Sequence, residues 1–199
     1  PKAVVKVFEE RLAGENYRSR MAARYGYALA LRRAGRPAEA ARLLADLVGK
    51  APERVALRYE LGRTLVEMDD LNGALRAYEA GLELYPSDRM LVQGYAEALL
   101  AAGRPREARN LLAGEIEAGS RSPRLYWLLG RSEELAGNPL EARLALAEHY
   151  ALTGDLEAAI DQLERSRREG GGSFYQSARI DARLEALRAR AELAKALER

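Results

Sequence analysis

The chain carries a single histidine, His149, in the stretch EARLALAEHYALTG. One imidazole cannot build a zinc site with others, and no HExxH pair places two ligands and a general base on one helix face. Glu148 adjoins His149, but neighbouring helix positions point to different faces, so a packed structural histidine is expected. Ser173 and Ser177 have no base and orienting acid to complete a nucleophilic constellation. The GGGS run at 170–173 lacks the lysine and the strand context of a phosphate-binding loop. Cysteine is absent, which removes disulfides and thiolate ligands. The chain is therefore expected to have no catalytic activity, no cofactor and no metal of its own.

Binding is better provided for. Tyr25, Tyr59, Gln93 and Trp127 recur every 34 residues, and four residues after each come Leu29, Arg63, Glu97 and Arg131. Tyrosine and tryptophan bury large areas while keeping a polar handle, so three such side chains backed by charges suit the capture of a peptide. The alternative is that some of these rings pack between helices.

The same spacing runs through the elements that must position this row. It aligns Ala28, Gly62, Ala96 and Gly130, then Gly35, Asp69, Gly103 and Gly137, then Ala40, Ala74, Ala108 and Ala142. A fixed period of this size marks stacked supersecondary units. In LGRTLVEMDDLNGALRAYEAGLELYP, residues 61–86, the positions Leu61, Gly62 and Leu65, then Ala74, Tyr78 and Leu82, fall at the three- and four-residue spacings of amphipathic helices. Asp69, Asp70 and Asn72 between them favour a turn and a helix start. Pro52 and Pro86 close two units, since proline cannot continue a helix. Each unit is thus expected to be helix, tight turn, helix, and the chain all-α. Mid-helix glycine costs about 1 kcal/mol against alanine, so Gly62 and Gly130 imply another helix passing too close for a larger side chain.

Gly154 follows Gly137, and Ala159 follows Ala142, after half a period. A helix from about Pro139 to Leu152 is expected to serve as second helix of one unit and first of the next. The expected organisation is an N-terminal helix in residues 1–20 (VVKVFEERL), an array of about four repeats plus a half step at 21–169, and a glycine linker with a long capping helix at 170–199. Ile180, Leu184, Leu187 and Leu197 are expected to share the buried face of that last helix.

Lys and Arg total 32 and Asp and Glu 30, interspersed, so no basic stripe is available to neutralise phosphates and no nucleic-acid partner is expected. No run approaches the roughly 20 apolar residues of a membrane span, so no membrane insertion is expected. The first residue is proline, not methionine, and the chain is expected to be a piece of a longer one.

Leu61, Gly62, Leu65, Ala74, Tyr78 and Pro86 match the small, large and proline positions of the tetratricopeptide repeat (TPR), and residues 21–169 resemble that family. The resemblance implies a right-handed α-solenoid whose first helices line a concave groove, with Tyr25, Tyr59, Arg63, Gln93, Glu97, Trp127 and Arg131 facing it. TPR domains that clamp a C-terminal carboxylate use lysine and asparagine at inner positions where this chain has Tyr25 and Leu29, so that ligand is not expected. Glu97, Glu141 and Glu148 near the expected inner surface argue against RNA.

The C-terminal third, LLGRSEELAGNPLEARLALAEHYALTGDLEAAIDQLERS followed by FYQSARIDARLEALR, resembles the repeat end of BepA-like (YfgC-type) periplasmic zinc metalloproteases of Gram-negative bacteria. The matching elements are Ala147, Glu148, His149 and Tyr150, then Gly154, Asp155, Ala158 and Ala159, then Ala178, Arg179, Ile180, Asp181 and Ala182. This resemblance implies a periplasmic recognition domain that engages the outer-membrane β-barrel assembly machinery or its substrates, with zinc and hydrolysis in an upstream HExxH domain. The peptidase motif is missing from this sequence. The alternative is a free-standing, cytoplasmic TPR scaffold or co-chaperone adaptor.

Overall fold

The computed structural model of the chain describes residues 2–12, 17–170 and 173–197. Gly171 and Gly172 of the glycine run, and residues 13–16 of the N-terminal region, lie outside the described residues. Among the described residues there are helices and no strands: α1 (Lys2–Leu12), α2 (Tyr17–Arg33), α3 (Pro37–Lys50), α4 (Val55–Glu67), α5 (Leu71–Leu82), α6 (Arg89–Ala101), α7 (Pro105–Glu117), α8 (Pro123–Leu135), α9 (Pro139–Thr153), α10 (Leu156–Glu169) and α11 (Phe174–Leu197). They form two compact units, Pro1–Gly103 with α1 to α6 and Arg104–Arg199 with α7 to α11.

Local signals fix where the helices start and stop. The Asp70 carboxylate accepts the Gly73 N–H at 2.9 Å, and Asp88 accepts from Met90 and Leu91 at 2.9 and 3.1 Å, capping α5 and α6. Pro37, Pro105, Pro123 and Pro139 open their helices at positions where no N–H is needed. Ser173 and Gln176 cap α11 reciprocally, each side chain accepting the other's backbone N–H at 3.3 and 2.9 Å. The column Gly35, Asp69, Gly103 and Gly137 has φ of 77°, 61°, 69° and 84°, the left-handed conformation that ends a helix. Asp69 is the one side chain forced into it.

In the first unit the core is keyed by Tyr78, which is 2% exposed. A Cβ added to Gly62 on α4 would lie 2.6 Å from the Tyr78 ring, and one on Gly94 of α6 would lie 2.5 Å from it. The expectation of a close helix at Gly62 is thus corrected: the glycine makes room for an aromatic side chain from α5. Gly130 in the second unit meets both kinds of neighbour, the Leu146 side chain at 2.8 Å and the Ala142 carbonyl at 3.2 Å. At the start of the first unit, Phe8 of α1 fills the notch at Gly26, and Val5 packs with Ala30, Leu31 and Ala40. Arg32 of α2 forms an ion pair with Glu60 of α4, both side chains nearly buried, and Glu67 stands 3.6 Å from Arg32.

In the second unit α9 packs against both α8 and α10, the dual role expected of the half-period helix. Ala147 and Ala151 of α9 and Ala159 and Leu163 of α10 receive Ile180, Leu184 and Leu187 of α11, so the last helix packs on its own array. Each of those three apolar side chains contributes about 1.5–3 kcal/mol by burial. Leu197 does not join them and is 80% exposed. Ten residues beyond Leu187, at about 100° each, bring it roughly 80° off the buried stripe. Glu141 and Glu148 also require correction. Rather than lining an open inner surface, they pair with Arg179 at 3.3 Å and Arg183 at 2.6 Å on α11.

Candidate functional site

The structure places Tyr25 on α2, Tyr59 on α4, Gln93 on α6 and Trp127 on α8, all half-buried, while Arg63, Glu97 and Arg131 one turn later are exposed and Leu29 is half-buried. Each ring packs inward with part of its surface and leaves part to solvent, as helix-borne amphipathic rings do.

In the first unit, Tyr25 lines a cavity of about 150 Å³ with Met21, Ala22, Arg54, Ala56 and Leu57. Burial pushes its hydroxyl pKa up, Glu60 adds to the shift, and Arg32 opposes it. The buried ion pair thus lies within electrostatic reach of the row. The Tyr59 ring centroid is 6.3 Å from that of Tyr78 at a 60° tilt, and the Tyr78 hydroxyl donates to the Tyr59 carbonyl at 3.4 Å. Burial raises the Tyr78 hydroxyl far above the ordinary tyrosine range, with Tyr59, Glu97 and Glu60 reinforcing and Arg63 opposing. Tyr59 is therefore backed by a neutral, locked ring.

In the second unit, Trp127 is gripped by two arginines of its own helix. The Arg124 guanidinium carbon lies 4.2 Å from the indole centroid and that of Arg131 lies 5.6 Å from it. Both are within the range of cation–π attraction. Arg124 was not among the residues singled out from the sequence, although its place three residues before Trp127 puts it on the same face.

His149 has the structural role expected of it: Nδ1–H donates to the Pro123 carbonyl at 2.9 Å, tying α9 to the first turn of α8, and the ring stands edge-on to Tyr150 at 5.1 Å. Among the described residues no group of three His, Cys, Asp or Glu side chains is arranged to hold a metal ion, and no helix is long and apolar enough to cross a membrane.

Comparison with known proteins gives a consistent picture. The tetratricopeptide repeat family matches at residues 31–91 and 65–132, and a second tetratricopeptide repeat family matches at residues 5–55. The "Beta-barrel assembly-enhancing protease" of Escherichia coli (strain K12) is 30% identical over 178 residues, covering 87% of this chain and 35% of that protein, and its namesake from Shigella flexneri matches equally. The chain thus spans about a third of the length of these curated relatives. Among solved structures, a tetratricopeptide repeat protein from Parabacteroides merdae is 15% identical with a TM-score of 0.61, over 96% of this chain and 78% of that one. A thermophilic TPR protein of Thermus thermophilus is 20% identical with a TM-score of 0.52, over 81% and 97%. MamA from Desulfovibrio magneticus RS-1 is 19% identical with a TM-score of 0.54, over 74% and 93%. At these identities the structural likeness shows the fold, an all-α solenoid.

Proposed function

Because the chain belongs to the tetratricopeptide repeat family, we propose that it is a protein-interaction domain whose first unit captures a partner segment along Tyr25, Tyr59 and Gln93 and whose second unit does so at Trp127 and Arg131. We propose further that it works in the periplasm as the recognition part of a protease or chaperone acting on outer-membrane β-barrel proteins, engaging their assembly machinery or its substrates. The single observation that carries the binding reading is the row itself, large half-buried side chains at one-repeat spacing on α2, α4, α6 and α8 with exposed charges one turn on. The relative named for β-barrel assembly supports the finer assignment, through 87% of this chain. Zinc and hydrolysis, on this reading, belong to a peptidase segment and not to these helices.

The test uses an unfolded outer-membrane β-barrel precursor as probe. Tyr59→Ala combined with Trp127→Ala should weaken its capture about tenfold or more, as loss of two aromatic anchors does, with the helical circular-dichroism signal unchanged. Undiminished capture would remove both residues from the site. Absence of capture by the unaltered chain would sink the β-barrel assignment.

A further inference from the structure

An apolar cavity opens at the head of the row, and we propose that it is an anchor pocket for an aromatic side chain of the bound segment, one followed by an acidic residue. This deepens the reading of the row as a binding face and rests on it.

The cavity has a volume of about 380 Å³ and lies between α1 and α2, lined by Val4, Phe8, Gly26, Leu29, Ala30 and Arg33. It arises where the repeat is imperfect. Gly26 shares its column with Glu60, Gly94 and Leu128. At Gly94 the Tyr78 ring closes the notch, Glu60 is covered by Arg32, and the Leu128 side chain fills its own place. On α1 the place of Tyr78, two periods earlier, falls to the exposed Glu10, so the ring at Gly26 is supplied by Phe8 instead. Phe8 and Gly26 both stay half-buried, whereas Tyr78 and Gly94 are buried. Arg33 apart, the lining is apolar, so water finds few partners there and an apolar side chain displaces it favourably.

Leu29 ties the cavity to the row. It stands four residues after Tyr25, where the later repeats carry Arg63, Glu97 and Arg131, and it is the one apolar member of that column. Tyr25, Leu29 and Arg33 follow one another down one face of α2 at four-residue steps. Leu29 lies about 6 Å from Tyr25 along the helix axis, a distance that about two residues of extended chain cover. At the mouth, Arg33 is exposed and meets no carboxylate among the described residues. A ring set among Val4, Phe8 and Leu29 supplies the affinity, and Arg33 adds a preference for a carboxylate beside it.

The probes are the capped peptide Ser-Thr-Phe-Asp-Thr and two relatives, one with Ala for its Phe and one with Asn for its Asp, followed through the methyl resonances of Val4 and Leu29. The parent peptide should bind about tenfold tighter than the Ala form, as burial of one ring provides. It should bind about threefold tighter than the Asn form at low salt, a margin that fades as ionic strength rises. Val4→Trp fills the cavity from an exposed wall and Leu29→Glu puts a charge on the opposite one; each should remove the ring preference with the helical circular-dichroism signal unchanged. Arg33→Gln should remove only the acid preference. Equal binding of the parent and either relative would overturn the proposal, as would a ring preference that survives both wall variants. Concentration-dependent dimerisation abolished by Val4→Trp would overturn it in favour of a second copy of this chain. Equal peptide binding with precursor capture through Tyr59 and Trp127 intact would sink the pocket alone, and the converse would sink the wider row while leaving the pocket.

Discussion

The interior of the first unit and the C-terminal end of the second solve the same packing problem by different means. Between α4, α5 and α6 one ring does most of the joining: Tyr78 sits in notches left by Gly62 and Gly94, and the neighbouring α2–α4 contact encloses the Arg32–Glu60 pair. At the end of the array α11 lays a stripe of Ile180, Leu184 and Leu187 onto α9 and α10 and edges it with arginine–carboxylate pairs that solvent still reaches. Shape carries the first join and apolar area the second. An interior helix has neighbours on two sides and must match both, whereas an end helix has to match only one.

The largest effect expected from this contrast is at Tyr78. Tyr78→Ala would empty two glycine notches at once and should cost about 3–5 kcal/mol, read as lost hydrogen-exchange protection in α4, α5 and α6 ahead of α9, α10 and α11. A uniform loss across both units would break the contrast. Tyr78 also gives the first unit a pH signature. Its hydroxyl titrates higher when folded than the unfolded value of 10.0, so its contribution is complete below pH 10 and is lost as pH rises above it. Tyr78→Phe should flatten the fall of the unfolding midpoint in that range, and an unchanged slope would count against the buried ring.

At the other end, replacing Arg179 and Arg183 together by alanine should cost only about 1 kcal/mol, because partly exposed ion pairs contribute little. Leu184→Ala should cost about 2–5 kcal/mol. If chemical denaturation gave the reverse order, the rim and not the stripe would hold α11. The smallest effect expected is at Asp69, whose φ of 61° suits glycine. Asp69→Gly, matching Gly35, Gly103 and Gly137, should stabilise the α4–α5 turn by roughly 0.5 kcal/mol, visible as a rise in melting temperature.

The parts of the fold that repeat were legible, because a column of like residues exposes a shared constraint. The Gly35, Asp69, Gly103 and Gly137 column marked the left-handed turn positions, and the half-period step to Gly154, with φ of 90°, marked the dual role of α9. What occurs once was not legible. Arg32 aligns with Val66, and Glu60 aligns with Gly26 and Gly94, so no period announces their ion pair. The same holds for the pairing of Glu141 and Glu148, which depends on where α11 lies, and Leu197 was assigned to a stripe that helical geometry had already left. For the candidate site, the period indicated which helix carries each residue and nothing about side-chain contacts. Arg124 was within reach of simple helix spacing from Trp127, but it breaks the repeat pattern that drew attention to its neighbours.

The most direct test of the binding face is to place a photo-crosslinking side chain at 59 or 127 and, as controls, at the exposed positions Arg76 on α5 and Asn110 on α7, then irradiate in the presence of the unfolded β-barrel precursor. The account predicts adducts from 59 and 127 and few from 76 and 110. Adducts from the controls, with 59 and 127 silent, would place the binding face on the second helices and contradict it.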